Sequence, residues 1–196
     1  MTHIDNILHI FENGITHKNS QNSNKKFKSI GDNSLINTRE DFLLSNKKYL
    51  GSYIPFYFGK RTPMLYVIQK GFNGVTATNK EYIVYCVSSV QKIIDLKIPF
   101  VYTNGHATNG LSDFYYKDSV NSIEENVDFV AVKKKYWTDE NDLDLKRRKE
   151  AEFLVESDIP VTAIIAFVVY NDNAKDKLTS LGIDSNLIHI IPKYYF

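Results

Sequence analysis

The sequence predicts an α+β fold, and three features carry that prediction. Short apolar stretches rich in β-branched and aromatic residues recur along the chain, as at 82–87 and 100–103. Between them lie segments whose apolar residues repeat at helical spacing, such as Ile4, Ile7 and Phe11. No internal repeat is present. We therefore expect a mixed sheet of several short strands with a few flanking helices.

Three helices are expected from spacing and capping residues. The first covers residues 5–13, with Thr2 or Asp5 as a possible cap and Gly14 as its stop. The second covers residues 89–95 after a serine cap. The third covers residues 173–180 and ends before Gly182.

The strands are expected where apolar residues run without helical spacing. Pro55 makes the stretch 53–58 an edge strand or an extended lid, because proline cannot donate to a central ladder. The other predicted strands are 64–69, 82–87, 100–103, 153–155, 161–170 and 187–191. Two polar segments separate these elements. The segment 17–34 is rich in Asn, Ser, Lys and Gly, and 106–149 mixes aromatic residues with charges of both signs.

Composition limits the class of protein. A chain of 196 residues fits one domain, and we expect a single domain over 1–196. With 24 Lys and Arg against 23 Asp and Glu, any site for a polyanion must come from local clustering of charge. Cys86 is the lone cysteine, which predicts no disulfide framework and a cytoplasmic protein. The sequence shows neither a signal segment nor a membrane span.

The most informative stretch runs from Arg147 to Val155. A dense cationic run ends in Glu150 and Glu152, and an apolar strand begins at the second of them. A carboxylate at the mouth of a strand beside fixed positive charge suits a site that stabilises a developing cation next to a polyanion. The alternative is a solvated helix end that leads into a core strand. Strand alternation places both carboxylates on one face, and only Glu152 directly adjoins the strand.

The chain resembles the DarT family of DNA ADP-ribosyltransferase toxins almost end to end. The resemblance is carried by Thr2-His3-Ile4-Asp5-Asn6, by the stretch from Tyr53 to Tyr66 that contains Gly59-Lys60-Arg61-Thr62-Pro63, by Asn104-Gly105-His106-Ala107, and by Glu152 in Ala-Glu-Phe-Leu. It implies the ADP-ribosyltransferase fold, a split mixed sheet, with NAD as co-substrate. It also implies a toxin whose product blocks replication.

The resemblance assigns the catalytic roles to Glu152 and Arg61. Glu152 would hydrogen-bond the ribose of NAD while positive charge develops on it. Arg61 would lie beside that ribose and the target base. Because a guanidinium is effectively always protonated, Arg61 is not expected to act as a base. It would instead polarise a base carbonyl, stabilise a base anion or bind an NAD phosphate. Residues 44–61 would form a lid over NAD. The expected NAD contacts are Thr2, His3, His9, Tyr49, Tyr57 and Arg61, with Tyr53 as a further stacking candidate.

Single-stranded DNA is the expected acceptor, because a base within a duplex cannot reach a buried ribose. A loop over residues 106–152 combines cations with aromatic rings, as sites for single strands do. The expected DNA contacts are His106, Tyr136, Trp137, Lys146, Arg147 and Arg148. The resemblance implies transfer to thymine or to guanine, and thymine is favoured. It also implies an antitoxin with a macrodomain, or a related ADP-ribosyl hydrolase, as partner.

Two other functions remain open at this point. One is a module that binds single-stranded nucleic acid without catalysis, in which Glu152 is structural. The other is an ADP-ribosyltransferase that modifies protein. The five histidines show no paired spacing typical of zinc ligands, so no metal is expected.

Overall fold

The computed structural model describes residues 1–196 and confirms the α+β prediction. The chain forms two compact units. The first unit consists of Met1–Asp32, Val67–Ile98 and Ser157–Phe196, and the second consists of Asn33–Tyr66 and Pro99–Glu156. Each unit contains one four-stranded sheet. No helix is both long and apolar enough to cross a membrane.

The strands are β1 (Thr2–His3), β2 (Ile54–Tyr57), β3 (Ile83–Val87), β4 (Phe100–Thr103), β5 (Phe114–Tyr116), β6 (Glu152–Val155), β7 (Ala166–Val169) and β8 (Ile188–Ile190). The helices are α1 (Ile7–Asn13), α2 (Asn33–Asp41), α3 (Pro63–Lys70), α4 (Val90–Asp95), α5 (Ile123–Asn126), α6 (Phe129–Lys133), α7 (Leu145–Lys149) and α8 (Asp172–Ser180).

The sheet of the first unit has the order β1-β3-β7-β8. Its β1–β3 and β3–β7 pairs are antiparallel and its β7–β8 pair is parallel, so the sheet is mixed. Helices α1 and α8 bury apolar residues against this sheet, because each presents its apolar residues on one face. The core contains Ile4, Ile7, Ile10, Val84, Cys86, Ile164, Phe167, Val169, Ala174, Leu178, Ile183 and Ile188.

The carboxyl-terminal residues are part of this core. Tyr195 is 3% exposed, and its hydroxyl lies within hydrogen-bond distance of Ile83 O on β3 (2.9 Å) and Val168 O on β7 (3.1 Å). Its ring also packs edge-on against Tyr85 and Tyr170. The hydroxyl therefore ties two neighbouring strands together.

The polar segment between α1 and α2 is a loop, as predicted, and it is anchored at two points. Asp158 accepts hydrogen bonds from the backbone N–H of His17 (2.7 Å) and from the hydroxyl of Ser20 (2.5 Å). The buried Asn6 amide bonds both backbone groups of Lys28, accepting from its N–H at 2.8 Å and donating to its carbonyl at 2.9 Å. The loop is thus held in one conformation although it is almost entirely polar.

The sheet of the second unit has the order β2-β6-β4-β5 and is antiparallel throughout. Pro55 lies on β2, an edge strand, as the sequence predicts. Strands β6 and β4 are central and fully buried. A cluster of Leu44, Leu50, Tyr53, Val101, Ala107 and Leu154 packs within this unit.

The predicted strand at residues 64–69 is wrong, because this stretch belongs to helix α3. Pro63 begins the helix, since a residue in the first turn needs no backbone N–H partner. The hydroxyl of Thr62 accepts from Leu65 N–H at 3.2 Å, which caps the helix. Leu65 and Ile68, one turn apart, are 0% and 2% exposed. An apolar run this short does not show whether its residues repeat at helical or at strand spacing. The Thr62 cap is therefore the feature that identifies the helix.

Helix α2 is another element that was not predicted, as are β5, α5 and α6 within the predicted polar segment 106–149. In α2 (Asn33–Asp41) the two apolar residues, Leu35 and Ile36, are adjacent and no residue is buried, so no apolar periodicity marks the helix in the sequence. Smaller corrections concern element ends. The first predicted helix opens as a 3₁₀ turn (Ile4–Asn6), and the predicted strand at 161–170 opens as a 3₁₀ turn (Val161–Ala163) before β7.

Candidate active site

Glu152 is the first residue of β6, in the interior of the second sheet. Its neighbours across the sheet are Tyr57 on β2, with which it is in register, and Thr103 at the end of β4. The residue is 1% exposed. An ionised carboxylate at this depth requires compensating partners, because burial of an unpaired charge is strongly unfavourable.

Each carboxylate oxygen of Glu152 has such a partner. Oε1 accepts the backbone N–H of Ala107 at 2.9 Å, and Oε2 accepts Nη1 of Arg39 at 2.8 Å. The Arg39 side chain is 14% exposed, so this ion pair is largely withdrawn from water. Nη2 of Arg39 is buried and has no hydrogen-bond acceptor. The carboxylate is therefore held in one orientation by a cation and a peptide dipole, with one guanidinium donor left over.

A tight turn after β4 supplies the peptide N–H. The hydroxyl of Thr103 accepts the backbone N–H of Glu152 at 3.0 Å and donates to Gly105 O at 2.6 Å. Gly105 permits the close approach within this turn, because a Cβ there would lie 2.5 Å from Nη1 of Arg147 and 2.7 Å from Oγ of Ser112. Thr103 thus connects the backbone of Glu152 to the turn that binds its side chain.

Tyr57 and Glu150 differ from Glu152 in what they can do. The pKa of the Tyr57 phenol is raised well above its usual value by burial and then by the negative charges of Glu152 and Glu150. Its hydroxyl therefore stays protonated over the physiological range. Glu150 follows α7 instead of lying on the strand, and it accepts Nζ of Lys146 at 2.8 Å. Of the two predicted carboxylates, only Glu152 is on the sheet.

Arg61 lies between β2 and α3 and is half-buried, with a left-handed backbone (φ 53°) that non-glycine residues seldom adopt. Its positive charge and burial both lower the pKa of Lys149, with burial the larger cause. The guanidinium on the Glu152 carboxylate is that of Arg39. Arg39 was not among the predicted site residues, and the catalytic role of Arg61 stays a prediction.

The cationic run forms helix α7, and its arginines are engaged within the chain. Arg147 is 12% exposed and binds Asp144 through two hydrogen bonds, Nε to Oδ1 (2.6 Å) and Nη2 to Oδ2 (2.7 Å). Its third nitrogen, Nη1, donates to Oδ1 of Asn104 at 3.1 Å. The carbonyl of Arg147 also accepts His106 N–H at 3.0 Å. Arg147 therefore braces the turn that holds Glu152.

Arg148 and Lys149 are engaged in the same way. Arg148 forms ion pairs with Asp128, Asp142 and Asp144. The carboxylates of Asp142 and Asp128 raise the pKa of Arg148, and the hydrogen-bonded Asp142 contributes most. Lys149 is 1% exposed, and its ammonium group donates to the carbonyls of Val132 (3.1 Å) and Lys134. These side chains fix the loop that precedes α7.

The remaining residues expected to contact DNA are more accessible. The Lys146 side chain is 57% exposed and Tyr136 is 62% exposed. Trp137 is half-buried and packs edge-on against Tyr66, with ring centroids 5.5 Å apart. His106 is half-buried, and its Nδ1 lies 2.9 Å from the hydroxyl of Thr108. Tyr136 thus presents a ring to solvent, whereas the exposed Lys146 ammonium is paired with Glu150.

Thr2 and His3 lie together on β1 in the first unit. His3 is 3% exposed and stacks on Tyr82, and burial lowers its pKa, so the ring is neutral near pH 7. Its Nδ1 accepts Asp5 N–H at 3.1 Å, which places the proton of the neutral ring on Nε2. His3 therefore offers Nε2–H as a donor. The hydroxyl of Thr2 accepts Nδ2 of Asn6 at 2.9 Å.

The other expected NAD contacts occupy different positions. His9 lies on α1 with its Nε2 3.0 Å from the hydroxyl of Thr16. Tyr49 is 54% exposed and able to stack on a ring. Tyr53 is 3% exposed and belongs to the core of the second unit, so it is not available for stacking. No group of three or more His, Cys, Asp or Glu side chains is arranged to hold a metal ion.

The fold has solved counterparts. Thermus sp. 2.9 DarT in complex with ADP-ribosylated single-stranded DNA superposes with a TM-score of 0.85 at 26% identity, covering 100% of this chain and 93% of the other. The same protein in complex with NAD+ superposes with a TM-score of 0.81 at 27% identity, covering 100% of this chain and 94% of the other. The fold and the buried carboxylate together place this chain in the class of ADP-ribosyltransferases.

Sequence comparison identifies the family. The model described as "DarT: ssDNA thymidine ADP-ribosyltransferase" matches residues 1–196. The chain therefore belongs to the DarT family. The DNA ADP-ribosyl transferase of Escherichia coli O127:H6 is 28% identical over 100% of this chain and 91% of its own length. A DNA ADP-ribosyl transferase–DNA ADP-ribosyl glycohydrolase fusion protein of Thermosipho africanus is 29% identical over 98% of this chain, which spans 47% of the fusion.

Proposed function

We propose that this chain transfers ADP-ribose from NAD to thymine in single-stranded DNA. Family membership supports the reaction class. The observation that carries the proposal is the Glu152 carboxylate, which is buried on a central strand with one oxygen on a peptide N–H and the other on a guanidinium. A carboxylate fixed in this way can stabilise positive charge without reorganising during the reaction.

The reaction breaks the bond between the anomeric carbon of the nicotinamide ribose and the pyridinium nitrogen of NAD. Nicotinamide leaves as a neutral molecule with the bonding electron pair, and positive charge develops on the ribose, as in glycoside cleavage. The Glu152 carboxylate would accept a hydrogen bond from the ribose 2′-hydroxyl, and this bond strengthens as the charge develops. The ring nitrogen of thymine then forms the new bond to the anomeric carbon, and its proton is released.

The ring N–H of thymine must be lost as the new bond forms. Tyr57 remains protonated, and Arg61 and Arg39 carry guanidinium groups, which do not accept protons in proteins. Glu152 is the one of these four side chains able to accept that proton. Arg61 is proposed to stabilise the negative charge that the base acquires, because a guanidinium binds carbonyl oxygens of a pyrimidine anion well.

Arg39 is proposed as a further residue of this reaction. Its Nη1 fixes Glu152 Oε2, and its Nη2 is a buried donor without an acceptor in the protein. A buried N–H donor without an acceptor destabilises the folded protein, and binding of an acceptor removes that cost. A ribose hydroxyl or an NAD phosphate would supply one. We assign NAD contacts also to Thr2, His3 and Tyr49, which offer a hydroxyl, an Nε2–H donor and an exposed ring.

The biological setting follows from the product. A bulky ADP-ribose on a template base removes its pairing edge, so the product would block replication and the chain would act as a toxin. The fusion of a relative to a DNA ADP-ribosyl glycohydrolase supports a hydrolase antitoxin as partner. NAD and single-stranded DNA are both intracellular, which supports a cytoplasmic site of action.

The test of reaction and acceptor uses isotope-labelled NAD and single-stranded oligonucleotides that each lack one type of base. Intact mass measurement should show the addition of one ADP-ribose on every strand that contains thymine and none on the strand without it. Loss of the product only when guanine is omitted would instead assign the acceptor to guanine. NAD left intact with every strand would refute transfer to DNA.

The role of Glu152 is tested by Glu152→Gln with Glu150→Gln as the matched control. We expect the first variant to reduce the transfer rate by about 10² to 10⁴ with DNA affinity retained, because the amide cannot carry the negative charge. The control should transfer at close to the original rate. Full activity of Glu152→Gln would show that Glu152 is not the catalytic carboxylate.

A further inference from the structure

The cationic run at residues 146–149 does not give its surroundings in the sequence a positive net charge. The candidate DNA loop, residues 106–152, contains eight Lys and Arg but eleven Asp and Glu, a net charge of −3. Arg147 and Arg148 are paired with carboxylates, and Lys149 is buried. Affinity for single-stranded DNA depends on cations that are free to replace the counterions of phosphates. In residues 106–152, Lys134 pairs with Asp139 and Lys146 with Glu150, so the exposed cations without a carboxylate partner are Lys117, Lys133 and Lys135.

The opposite charge balance occurs in the loop between α1 and α2. Residues 14–31 contain four lysines and no acidic residue, a net charge of +4. Lys25 and Lys26 are exposed and form no ion pair with a carboxylate. Between Lys26 and Lys28 lies Phe27, which is 61% exposed. We name residues 24–28 the basic turn.

The basic turn is held in a defined conformation. The side chain of Asn24 accepts Lys26 N–H at 2.9 Å, and its carbonyl accepts Phe27 N–H at 3.2 Å. The Asn6 amide binds both backbone groups of Lys28. A ligand that binds here does not have to order the chain, so the free energy of its contacts is not offset by that cost. Phe27 is 61% exposed, so most of its surface is accessible to a ligand.

We propose that the basic turn is a second binding site for single-stranded DNA, with phosphates on Lys25 and Lys26 and a base stacked on Phe27. Consecutive cations beside an exposed ring match a strand that offers repeated phosphates and unpaired bases. NAD carries a single pyrophosphate, and dinucleotides bind in enclosed recesses, whereas this turn is exposed on its surface. The site recognises strand chemistry and not sequence, and it rests on the proposed DNA substrate.

The experiment measures the affinity of the full chain for a fluorescein-labelled single-stranded oligonucleotide by anisotropy, without NAD, from about 50 to about 200 mM salt. The variants are Lys25→Gln/Lys26→Gln, Phe27→Ser and Phe27→Trp. The charge-matched control is Lys97→Gln/Lys193→Gln, two exposed lysines of the same unit. Thermal unfolding of each variant checks that its fold is intact, which we expect because the substituted sites are exposed.

The lysine pair should reduce the slope of log affinity against log salt by about 1.4, since each phosphate contact with a single strand contributes about 0.7. Phe27→Ser should weaken binding by at least about five-fold, the lower end for one base stacked on an aromatic ring, and Phe27→Trp should retain it. The control should match the original chain. An unchanged slope would overturn the proposal, as would a raised KM for NAD with unchanged DNA affinity, which would assign the turn to the pyrophosphate. If the original chain binds the strand through this turn but transfers no ADP-ribose, the proposed reaction is refuted and the proposed binding site is retained.

Discussion

At the scale of single residues, the site depends on how one buried carboxylate is compensated. Glu152 is 1% exposed, and its partners Arg39 and Ala107 are 113 and 45 residues away in sequence. The ion pair fixes the carboxylate and neutralises it in a poorly hydrated environment. Removal of either partner therefore affects both stability and chemistry, and the two effects have to be separated.

A double-mutant cycle separates them. Arg39→Met should destabilise the fold by about 3–5 kcal/mol, because it leaves the charge of Glu152 buried without a cation. In Arg39→Met/Glu152→Gln that charge is absent, so the double variant should recover part of the loss. Urea unfolding of the original chain, Arg39→Met, Glu152→Gln and the double variant measures the four free energies of the cycle. Losses that add within about 0.5 kcal/mol would show that the two side chains do not interact.

His3 gives a pH dependence to the first unit. Burial lowers its pKa below the ordinary value of 6.5, so the unfolded chain binds a proton at a higher pH than the folded chain does. The stability that the neutral ring contributes is therefore present above pH 6.5 and is lost as the pH falls through the lower folded pKa. The melting temperature should fall between pH 7 and pH 5 less in His3→Gln than in the original chain. Equal falls would show that His3 is not the titrating group.

At the scale of elements, α7 serves the site through its contacts inside the chain. Arg147 joins Asp144 to the turn that carries Ala107, so its loss should displace the N–H on Glu152. We expect Arg147→Met to lower kcat by about ten- to a hundred-fold at saturating NAD and DNA, since small misplacements of reacting groups cost that much. Lys117→Met, an exposed cation of the same loop, is the control.

The salt dependence of DNA binding distinguishes this role from the one predicted for Arg147 by its position in a cationic run. A bracing residue leaves the slope of log affinity against log salt unchanged. A direct phosphate contact reduces it by about 0.7 with kcat retained at saturation. The second result would contradict the bracing role.

The Tyr195 hydroxyl, which lies near carbonyls of β3 and β7, gives a prediction for the stability of the first sheet. Tyr195→Phe removes the hydroxyl that Ile83 O and Val168 O accept, and should cost about 1–3 kcal/mol because these groups are buried. Calorimetry should show a fall in melting temperature of about 2–4 °C for each kcal/mol. The exposed Tyr136→Phe should leave it unchanged. An unchanged melting temperature for Tyr195→Phe would mean that the hydroxyl contributes nothing to the sheet.

At the scale of the whole molecule, binding of the co-substrate should stabilise the fold by mass action. Carba-NAD+, which lacks the reactive glycosidic bond, at about 100 times its Kd should add about 2.7 kcal/mol of stability. For a chain of this size the melting temperature should rise by roughly 5–10 °C in differential scanning fluorimetry. Adenosine alone serves as the control and should shift it far less. No rise at any concentration of carba-NAD+ would contradict NAD as co-substrate.

The net charge of +1 conceals opposite charges on different segments. The segment 14–31 has a charge of +4 and the segment 106–152 a charge of −3. At physiological ionic strength charges are screened beyond about 8 Å, so a polyanion responds to the local charge and not to the total. DNA binding by this chain should therefore depend on which segment is changed more than on the change in net charge.

The sequence by itself determined the elements whose signals are local. Strand β4, helix α4 with its Ser89 cap, the edge position of Pro55 and the stop at Gly14 depend on neighbouring residues, and all were predictable. Glu152 was also identifiable as a candidate, because a carboxylate between a cationic run and an apolar strand is a local pattern. The family was evident from four short motifs.

Only the tertiary structure decided what these residues contact. Helix α2 has no buried residue, so no apolar periodicity in the sequence predicted it. Arg39, which lies on this helix, was therefore not predicted as a site residue. The period of residues 64–69 was ambiguous until the Thr62 cap fixed it as a helix. The arginines of α7 looked free to bind phosphates although Asp142 and Asp144 closely precede them, because the sequence does not show which side chains pair. Charges act through distance in space, and a sequence gives only their order.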